Sequence, residues 1–451
     1  MRPGAFPERL LAFLLAAYAL VSAWDFSARP ACIDYYQFWV VGRAVAAKET
    51  QDVYSDAERK RLGELYWQRS LAEAQARKDA AATSNGANAA LPPTKRLQAA
   101  SQRRELETYS TPWLYALFGL ASGPDYDASQ LAFQRTSLLA YAAAILLLAR
   151  ILGFSAAASA LALGALLQWF NPFVDDTLAG NVNRLQLLVL AVVLWLECRA
   201  RWPGRHLAAG AILGALLAFK PNLAAVSAML VIGWAFRGAA GRVLQSLAGQ
   251  VAGVVAAVLA SAAVFGSLAP WSAWAREFPR LLAAGSPAAG SAAEGNYSLA
   301  RLLRDGAGVA LGPALPGVLL LAVLGALAVA RKRERARPGE DDVPREVLLA
   351  GVGAALSLLG AELAWQHYFV ALVPLAMALL ARPLDGGAHG RLRSALAAVG
   401  LAMVSLQNVG RLLDLHAPAA GAGVVAGGTL VLCLLGTAEI ARPRPAAVAA
   451  A

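Results

Sequence analysis

Charged residues are scarce in this chain, and its few cysteines and histidines lack the spacing of a ligand site. Only 15% of the 451 residues are charged, whereas a soluble protein carries about 25%. The three cysteines are scattered without a CxxC pair, so neither a disulfide framework nor a thiolate metal site is indicated. The four histidines lie far apart without an HExxH motif, so zinc is not expected. We predict no cofactor; a divalent cation is allowed but not indicated.

Long hydrophobic runs, in contrast, fill the chain from end to end. Hydrophobic residues make up 58% of the sequence, and the mean hydropathy is +0.51. Runs of this kind fit membrane-spanning helices, so we predict an all-α, polytopic integral membrane protein with one transmembrane domain over residues 1–451. The net charge of +11 comes mostly from arginines in short clusters between apolar runs. This is the positive-inside pattern, and it indicates no nucleic-acid partner.

Twelve apolar segments are predicted to cross the membrane. Their candidate bounds are 10–24, 132–150, 155–170, 185–199, 206–219, 222–236, 243–269, 312–330, 346–361, 367–381, 393–409 and 423–440. Placing the arginine clusters inside gives twelve crossings with both termini cytoplasmic. The abundance of alanine and arginine is typical of a GC-rich bacterial genome, so a bacterial inner membrane is the expected location. The first segment is interpreted as a retained helix rather than a cleaved signal peptide.

Two apolar stretches need a separate interpretation. The stretch 111–122 is shorter than the ~20 residues that a crossing requires, so it is predicted to be a re-entrant or half-depth helix begun by Pro112. The stretch 206–236 would be about 46 Å long as one helix, which exceeds the bilayer thickness. We therefore predict two short helices that meet at Lys220-Pro221.

The segment 25–111 is predicted to be a long extracytoplasmic loop with juxtamembrane helices. Its part 55–107 is the densest run of polar and charged residues, which is interpreted as surface helices around a turn. Loops of this length are translocated whatever their charge. The bases in 55–107 therefore do not contradict the topology.

Polar residues that flank the apolar runs fall, in this topology, on one side of the membrane. Ionisable groups at membrane depth are costly and normally face a cavity or a partner. Nine such residues at one face predict a single polar chamber, which is typical of a membrane enzyme or transporter. They are Asp34, Asp175, Asp176, Asn181, Asn183, Lys220, Asn296, Glu362 and His367.

Asp34 is a candidate general base, because it lies near the membrane surface among aromatic residues. A partly desolvated carboxylate there can accept a proton from a hydroxyl, and Tyr35 and Tyr36 could stack on a sugar ring. The alternative is that Asp34 only caps a helix that the aromatic residues anchor at the interface. Spacing alone favours this alternative.

Two further clusters could bind a substrate. Asp175, Asp176, Asn181 and Asn183 are predicted in a short outer loop, where they could bind sugar hydroxyls or a divalent cation. The alternative for them is a capped loop. Lys220, at the break between two helices, could pair with a phosphate; the alternative is a lysine that snorkels to the interface.

The motif that opens the segment 367–381 supplies an imidazole. Trp365 and His367 follow Glu362 within about one or two helical turns, and His367 could hydrogen-bond a phosphate or move a proton. The alternative is an aromatic belt with an incidental histidine. Each cluster is a weak signal alone, so the prediction rests on their agreement on one face.

Six short motifs follow Asp34 along the chain, namely GRAVAAKETQDVYS, TPWLYALFGL, GNVNRLQLLVL, GAILGALLAFKPN, GNYSLARLL and WQHYFVALVPLAMALL. Their order resembles that of glycosyltransferase family 87. Each is short, so the resemblance depends on their order over residues 10–380. It implies a GT-C-type membrane glycosyltransferase, similar to family members that transfer α-mannose from polyprenol-phosphate-mannose.

The resemblance also implies roles for individual residues. The acid after the first helix, the family's proposed general base, corresponds to Asp34. The family's Gly-Gln-x-Asn, Lys-Pro, Trp-x-His and Asn-x-Ser elements correspond to Gly180–Asn183, Lys220-Pro221, Trp365 with His367, and Asn296 with Ser298. There are departures from the family pattern: Asn181 stands where Gln is usual, Thr111-Pro112-Trp113 replaces a typical Tyr-Pro-Pro, and 55–107 looks like an insertion. They leave the donor and the acceptor open.

We therefore predict transfer of a sugar, mannose by resemblance, from a polyprenyl-phosphate donor to a hydroxyl of a glycolipid or glycan on the extracytoplasmic face. Lys220 and His367 would bind the donor phosphate, with membrane lipids around its tail. The residues expected to bind sugar or acceptor are Tyr35, Tyr36, Asp175, Asp176, Asn181, Asn183, Asn296, Ser298 and Trp365. The alternatives are a transporter or flippase for a lipid-linked or anionic solute, and a scaffold protein. The insertion 55–107 is hypothesised to be a lid that selects the acceptor.

Overall fold

The fold is all-helical, as the sequence predicts. The computed structural model describes residues 5–85, 94–281, 295–309, 314–335, 343–381, 388–405 and 418–442. Every regular element within these ranges is a helix. The α-helices are α1 (Ala5–Ser27), α2 (Ile33–Ala46), α3 (Asp56–Asn85), α4 (Lys95–Gln102), α5 (Pro112–Ala121), α6 (Tyr126–Ile151), α7 (Ala156–Gln168), α8 (Asn171–Ala179), α9 (Asn183–Cys198), α10 (Arg205–Phe219), α11 (Ala224–Phe236), α12 (Ala240–Phe265), α13 (Ala269–Leu281), α14 (Leu299–Ala307), α15 (Ala314–Arg335), α16 (Val343–Gly360), α17 (Val373–Ala381), α18 (Ala388–Val404) and α19 (Pro418–Ala441). Short 3₁₀ helices at Pro221–Leu223 and Gln366–Leu372 directly precede α11 and α17.

Several helices are long and apolar enough to cross a membrane. Within the described ranges, five meet both conditions, namely α1, α6, α12, α15 and α19. The pair α7 and α8, which meet at a bend of 55°, would make a sixth as one broken span. The chain is therefore a polytopic membrane protein. Each of the twelve predicted segments overlaps a helix, whereas the number and direction of crossings stay predictions, because α10 and α11 are shorter than a full crossing.

The loop predicted around Asp175 and Asp176 is wrong, because both residues lie on helix α8. Pro172 lies in the first turn of α8, where its missing N–H breaks no helical hydrogen bond. Gly180 ends α8 with a φ of 70°, a left-handed conformation that glycine adopts without strain. Pro172 and Gly180 thus define the two ends of α8, and the end at Gly180 positions Asn181, which follows it.

Lys220 separates two short helices, as predicted. Its backbone is extended, with φ −155° and ψ 109°, which is the conformation preferred before a proline. Pro221 then begins the 3₁₀ turn that leads into α11. The predicted break is confirmed, and it places Lys220 beyond the end of α10.

Glycines bring α10 and α12 into direct backbone contact. A Cβ added to Gly214 would lie 2.1 Å from the carbonyl oxygen of Gln250, and one added to Gly253 would lie 2.0 Å from that of Ala211. Small residues four apart allow membrane helices to approach this closely. The glycines at this contact are Gly210, Gly214, Gly249 and Gly253.

Helices α2 to α5 pack around a shared aromatic core, and we refer to them as the α2–α5 layer. Thr111 caps α5 by accepting a hydrogen bond from the Leu114 backbone, with a proline in the first turn, so the predicted short helix is confirmed. Helices α2 and α5 touch so closely that a Cβ on Gly42 would lie 2.7 Å from the backbone nitrogen of Gly119. Helices α3 and α4 confirm the helices expected in 55–107; the turn between them lies outside the described residues.

Candidate active site

A cavity of about 710 Å³ lies between the start of α2, the end of α8, Lys220 and the 3₁₀ helix Gln366–Leu372. This volume falls within the range of small-ligand sites. Segments that are far apart in the sequence therefore meet at one cavity. The predicted site residues that line it are Asp34, Asp175, Asn181, Lys220, Trp365 and His367.

Asp34 lies in the first turn of α2, not at its N-cap. The N-cap is Cys32, which has a φ of 60°, and no side chain caps this helix. The sulfur of Cys32 accepts hydrogen bonds from Nε2 of Gln130 and of Gln134, and Gly180 packs against its Cβ. These contacts fix the start of α2 without Asp34. The capping alternative therefore does not describe its carboxylate, which faces the cavity.

The two carboxylate oxygens of Asp34 have different neighbours. Oδ2 accepts a hydrogen bond of 2.7 Å from Nδ2 of Asn181 and lies 3.8 Å from Nε2 of His367. Oδ1 lies 3.5 Å from a guanidinium nitrogen of Arg103. One oxygen is thus held by an amide, while the other has a looser ionic contact.

Lys220 reaches the same cluster from the end of α10. Its Nζ donates hydrogen bonds of 2.9 Å to Oδ1 of Asn181 and to Oδ1 of Asn183, and it lies 4.3 Å from the ring centre of Tyr368. The Asn181 amide therefore accepts from the cation at one end and donates to the Asp34 carboxylate at the other. An ammonium has three donors, so two amide contacts leave it capacity for an anion in the cavity.

Asp176 is fully buried beneath the cavity and does not line it. Its carboxylate accepts hydrogen bonds from Nε of Arg184 at 2.7 Å and from Nδ2 of Asn183 at 2.8 Å. Arg184 also donates to Gln134 at 2.7 Å. Asp176 thus supports Lys220 through Asn183, and its buried carboxylate is not placed to contact a substrate in the cavity.

Asn296 and Ser298 are fully buried in the turn before α14. Nδ2 of Asn296 donates to the carbonyl of Glu362 at 2.7 Å, and its Oδ1 accepts from the backbone N–H of Ala364 at 3.0 Å. Ser298 donates to a backbone carbonyl of α16. These bonds position the backbone that carries Trp365 to the cavity, whereas the two polar side chains do not line it.

Tyr35 and Tyr36 pack inside the α2–α5 layer instead of lining the cavity. They are 2% and 0% exposed. The ring of Tyr35 lies 4.7 Å from that of Phe133, and the ring of Tyr36 lies 5.7 Å from that of Tyr126. Tyr35 and Tyr36 are therefore not placed to stack on a sugar in the cavity, whereas other aromatic residues are. Those that line the cavity are Phe38, Tyr109, Tyr297, Trp365 and Tyr368.

The segment 55–107 supplies residues to the cavity that the sequence analysis did not identify. Gln102, Arg103 and Glu107 line the cavity, and Arg103 lies 3.3 Å from a carboxylate oxygen of Glu107. Partial burial raises the pKa of the Glu107 carboxyl, while the Arg103 guanidinium opposes this shift. In the sequence, these residues look like the solvent-exposed end of a helix. Nothing in the local pattern distinguishes them from neighbouring charged residues that are exposed.

The fold and the cavity define a class: an all-helical membrane protein with a polar site between its helices. A family model, glycosyltransferase family 87, matches residues 108–343, which is more than half of the chain. The chain therefore belongs to glycosyltransferase family 87 and is a membrane glycosyltransferase. This confirms the predicted family and is consistent with the GT-C superfamily.

The match covers only part of the cavity. Asn181 and Lys220 lie within the matched range, whereas Asp34, Arg103 and His367 lie outside it. No curated protein and no solved structure matches the chain.

Proposed function

We propose that the chain transfers mannose from a polyprenyl-phosphate donor to an acceptor hydroxyl on the extracytoplasmic face of a bacterial inner membrane, with Asp34 as general base. The observation that carries this proposal is the Asn181 amide that joins Asp34 to Lys220 at the cavity. A base and a cation side by side are the groups that sugar transfer from a phosphate uses. Membership of the family supports sugar transfer, and the cavity supports these roles for its residues.

In the proposed reaction, Asp34 takes the proton of the acceptor hydroxyl as the hydroxyl oxygen attacks the anomeric carbon of the donor. The bond between that carbon and the phosphate oxygen breaks, and its electron pair leaves with the polyprenyl phosphate. The attacking and leaving oxygens lie on opposite faces of the sugar, so a β-linked donor gives an α-linked product. A phosphate that leaves as an anion needs no general acid, so the second carboxylate of a glycosidase is not required.

Lys220 would stabilise the leaving phosphate. A fixed cation in a partly buried site stabilises developing negative charge more than it would in water. The imidazole of His367, 3.3 Å from Asn181, extends the polar surface that the phosphate would meet. Within the described part of the chain, no group of three or more His, Cys, Asp or Glu side chains is placed to hold a metal ion. The proposal assigns the phosphate charge to Lys220 and a hydrogen bond with the phosphate to His367.

The prenyl tail of the donor would lie against the apolar surface near α8. Leu178 on this helix lines the cavity and is 44% exposed. An apolar side chain that faces both the cavity and the outside supports an opening toward membrane lipids. The polar head and the apolar tail of one donor would then occupy adjoining surfaces.

The test compares purified wild-type protein with Asp34→Asn on synthetic polyprenyl-phosphate sugars, mannose included. Because asparagine keeps the side-chain shape but cannot take a proton, we expect sugar transfer to slow by about 10²- to 10⁴-fold. Mass spectrometry measures the released polyprenyl phosphate and the glycosylated product. The matched control is Asp25→Asn, since Asp25 is exposed and pairs with Arg29.

Undiminished transfer by Asp34→Asn would remove Asp34 from its role. Movement of a solute across vesicles without cleavage of any sugar–phosphate bond would favour a transporter. If the protein cleaves a polyprenyl-phosphate donor with a sugar other than mannose, the proposed sugar is wrong, whereas the proposed mechanism still holds.

A further inference from the structure

The segment 94–110 forms one wall of the cavity through Arg103 and Glu107. The Arg103 side chain is 18% exposed, and its guanidinium lies 3.3 Å from Glu107 and 3.5 Å from Asp34. Both residues lie before the range that matches the family model. This wall is therefore a feature of the present chain that the match does not describe.

The contacts of Asp34 indicate from which side an acceptor approaches. Oδ2 is held by the Asn181 amide at 2.7 Å, and that amide also binds Lys220. Among the described residues, the contact found for Oδ1 is that of 3.5 Å with Arg103, which is longer than a normal hydrogen bond. Oδ1 is thus the oxygen with room to take a proton, and it faces the Arg103 wall.

The wall is anchored on both sides, so it is a fixed surface of the cavity. The side-chain oxygen of Gln37, one turn after Asp34 on α2, accepts a hydrogen bond of 2.6 Å from the Glu107 backbone. On the other side, a Cβ on Gly63 of α3 would lie 2.1 Å from the carbonyl oxygen of Arg104. Helix α3 therefore rests directly on the backbone next to Arg103.

The chemistry of the wall matches a neutral sugar. A guanidinium donates hydrogen bonds and a carboxylate accepts them, so Arg103 and Glu107 together can bind neighbouring hydroxyls of one ring. The pair carries no net charge, and Tyr109 beside it offers an aromatic face to a sugar ring. At this wall the carboxylates of Glu107 and Asp34 would offset the attraction of an anionic acceptor to Arg103.

We propose that Arg103 and Glu107 form the acceptor subsite, that they select an uncharged sugar, and that they present its hydroxyl to Oδ1 of Asp34. This inference rests on the proposed function, because it presumes that Asp34 is the base of a sugar transfer. It adds the class of acceptor and the residues that recognise it.

The experiment measures how each variant divides the donor between transfer and hydrolysis. The purified full-length protein receives polyprenyl-phosphate mannose with a neutral alkyl glycoside, with the same glycoside carrying a phosphate, or with a serine-containing peptide. The variants are Arg103→Ala, Arg103→Lys and Glu107→Gln. The matched control is Arg104→Ala, because Arg104 is exposed and pairs with Glu64. The ratio of transferred to hydrolysed sugar is independent of the folded fraction, since both products come from the same active protein.

We expect the wild type to prefer the neutral glycoside. Arg103→Ala should lower the transfer-to-hydrolysis ratio about 10- to 100-fold, through a higher KM for the glycoside, since a charge-assisted hydrogen bond is lost. Arg103→Lys should recover part of this loss. Glu107→Gln should improve use of the phosphorylated glycoside because one negative charge is removed. Arg104→Ala should leave the ratio unchanged.

An unchanged ratio in Arg103→Ala would overturn the inference, as would a wild-type preference for the phosphorylated glycoside or the peptide. Parallel loss of transfer and hydrolysis in Arg103→Ala and Arg103→Lys would also overturn it, because Arg103 would then serve the donor. A failure of the proposed function looks different: the wild type would cleave no polyprenyl-phosphate donor.

Discussion

At the scale of single residues, the Asn181 amide holds the two charges of the site together. Its nitrogen donates to Asp34, and its oxygen accepts from Lys220 and from the Val182 backbone. A carboxylate can only accept a hydrogen bond and an ammonium can only donate one. The amide nitrogen must therefore face Asp34, and the amide oxygen must face Lys220. The carboxylate and the ammonium are therefore kept apart by one amide instead of forming a direct ion pair.

Removing this amide should lower activity more than it lowers stability. Asn181→Leu deprives Asp34 of its donor and Lys220 of an acceptor, so we expect donor turnover to fall about 10- to 100-fold. Asn181→Gln, which keeps the amide on a longer side chain, should restore part of the activity. Turnover is measured as release of polyprenyl phosphate. Equal turnover of the Leu variant and the wild type would contradict this role.

The buried pair of Asp176 and Arg184 should matter chiefly for folding. Both side chains are 0% exposed, so Arg184→Met leaves an unpaired buried carboxylate, which costs about 3–5 kcal/mol. The double variant Asp176→Leu with Arg184→Met should be more stable than Arg184→Met alone. Thermal unfolding in detergent measures both. If the double variant unfolds at or below the midpoint of the single variant, the ion pair is not the cause.

The sequence predicted that distant polar residues would meet better than it predicted their individual contacts. Asp34, Lys220 and His367 meet at one cavity because each follows or precedes an apolar segment on the same predicted face. Tyr35 and Tyr36 are predicted to lie beside a sugar but are buried, because aromatic residues of α5 and α6 pack against their rings. A pattern within α2 cannot show which distant helix covers it.

At the scale of helices, the contact between α10 and α12 depends on the absence of side chains. A Cβ on Gly253 would lie 2.0 Å from the carbonyl oxygen of Ala211, so the two helices must move apart to admit one methyl group. The sequence contains this signal as glycines four residues apart in both helices.

Gly253→Ala should therefore destabilise the protein by about 1–3 kcal/mol, the usual cost of overpacking. The control is Gly241→Ala in the same helix, where an added Cβ meets nothing within 4 Å. Thermal unfolding of the purified variants in detergent tests the difference. Identical midpoints for the two variants would show that the helices separate without cost.

Helix ends could be predicted where proline and glycine mark them. The break at Lys220-Pro221 and the start of α5 at Pro112 follow directly from the restrictions that proline imposes. The helix α8 was predicted as a loop, because its nine residues are too few and too polar for a clear apolar period. Asn171-Pro172 and Gly180 are suitable end signals, but nothing in the sequence shows that the residues between them are helical.

At the scale of the whole molecule, the membrane orientation predicted from the arginine clusters is open to direct test. Cysteines introduced as Lys60→Cys and Arg280→Cys lie on exposed positions of α3 and α13, and Arg331→Cys lies on an exposed position of α15. A membrane-impermeant maleimide applied to intact cells should label the first two above the level of the unaltered chain. Arg331→Cys should react only after the cells are opened. Labelling of Arg331→Cys in intact cells would invert the topology and place the cavity in the cytoplasm.

The close approach of α2 and α5 restricts how the lipid tail of the proposed donor could reach the cavity. Gly42 and Gly119 bring the two backbones together, and the indole N–H of Trp39 on α2 donates to the carbonyl of Gly123, just beyond α5, at 2.9 Å. In the part of the chain that the structure describes, the backbones of α2 and α5 are thus in direct contact. The lipid tail of the proposed donor would then enter the cavity from a side other than this contact, so Asp34 on α2 would lie at the closed side of the cavity and the lipid at the open side.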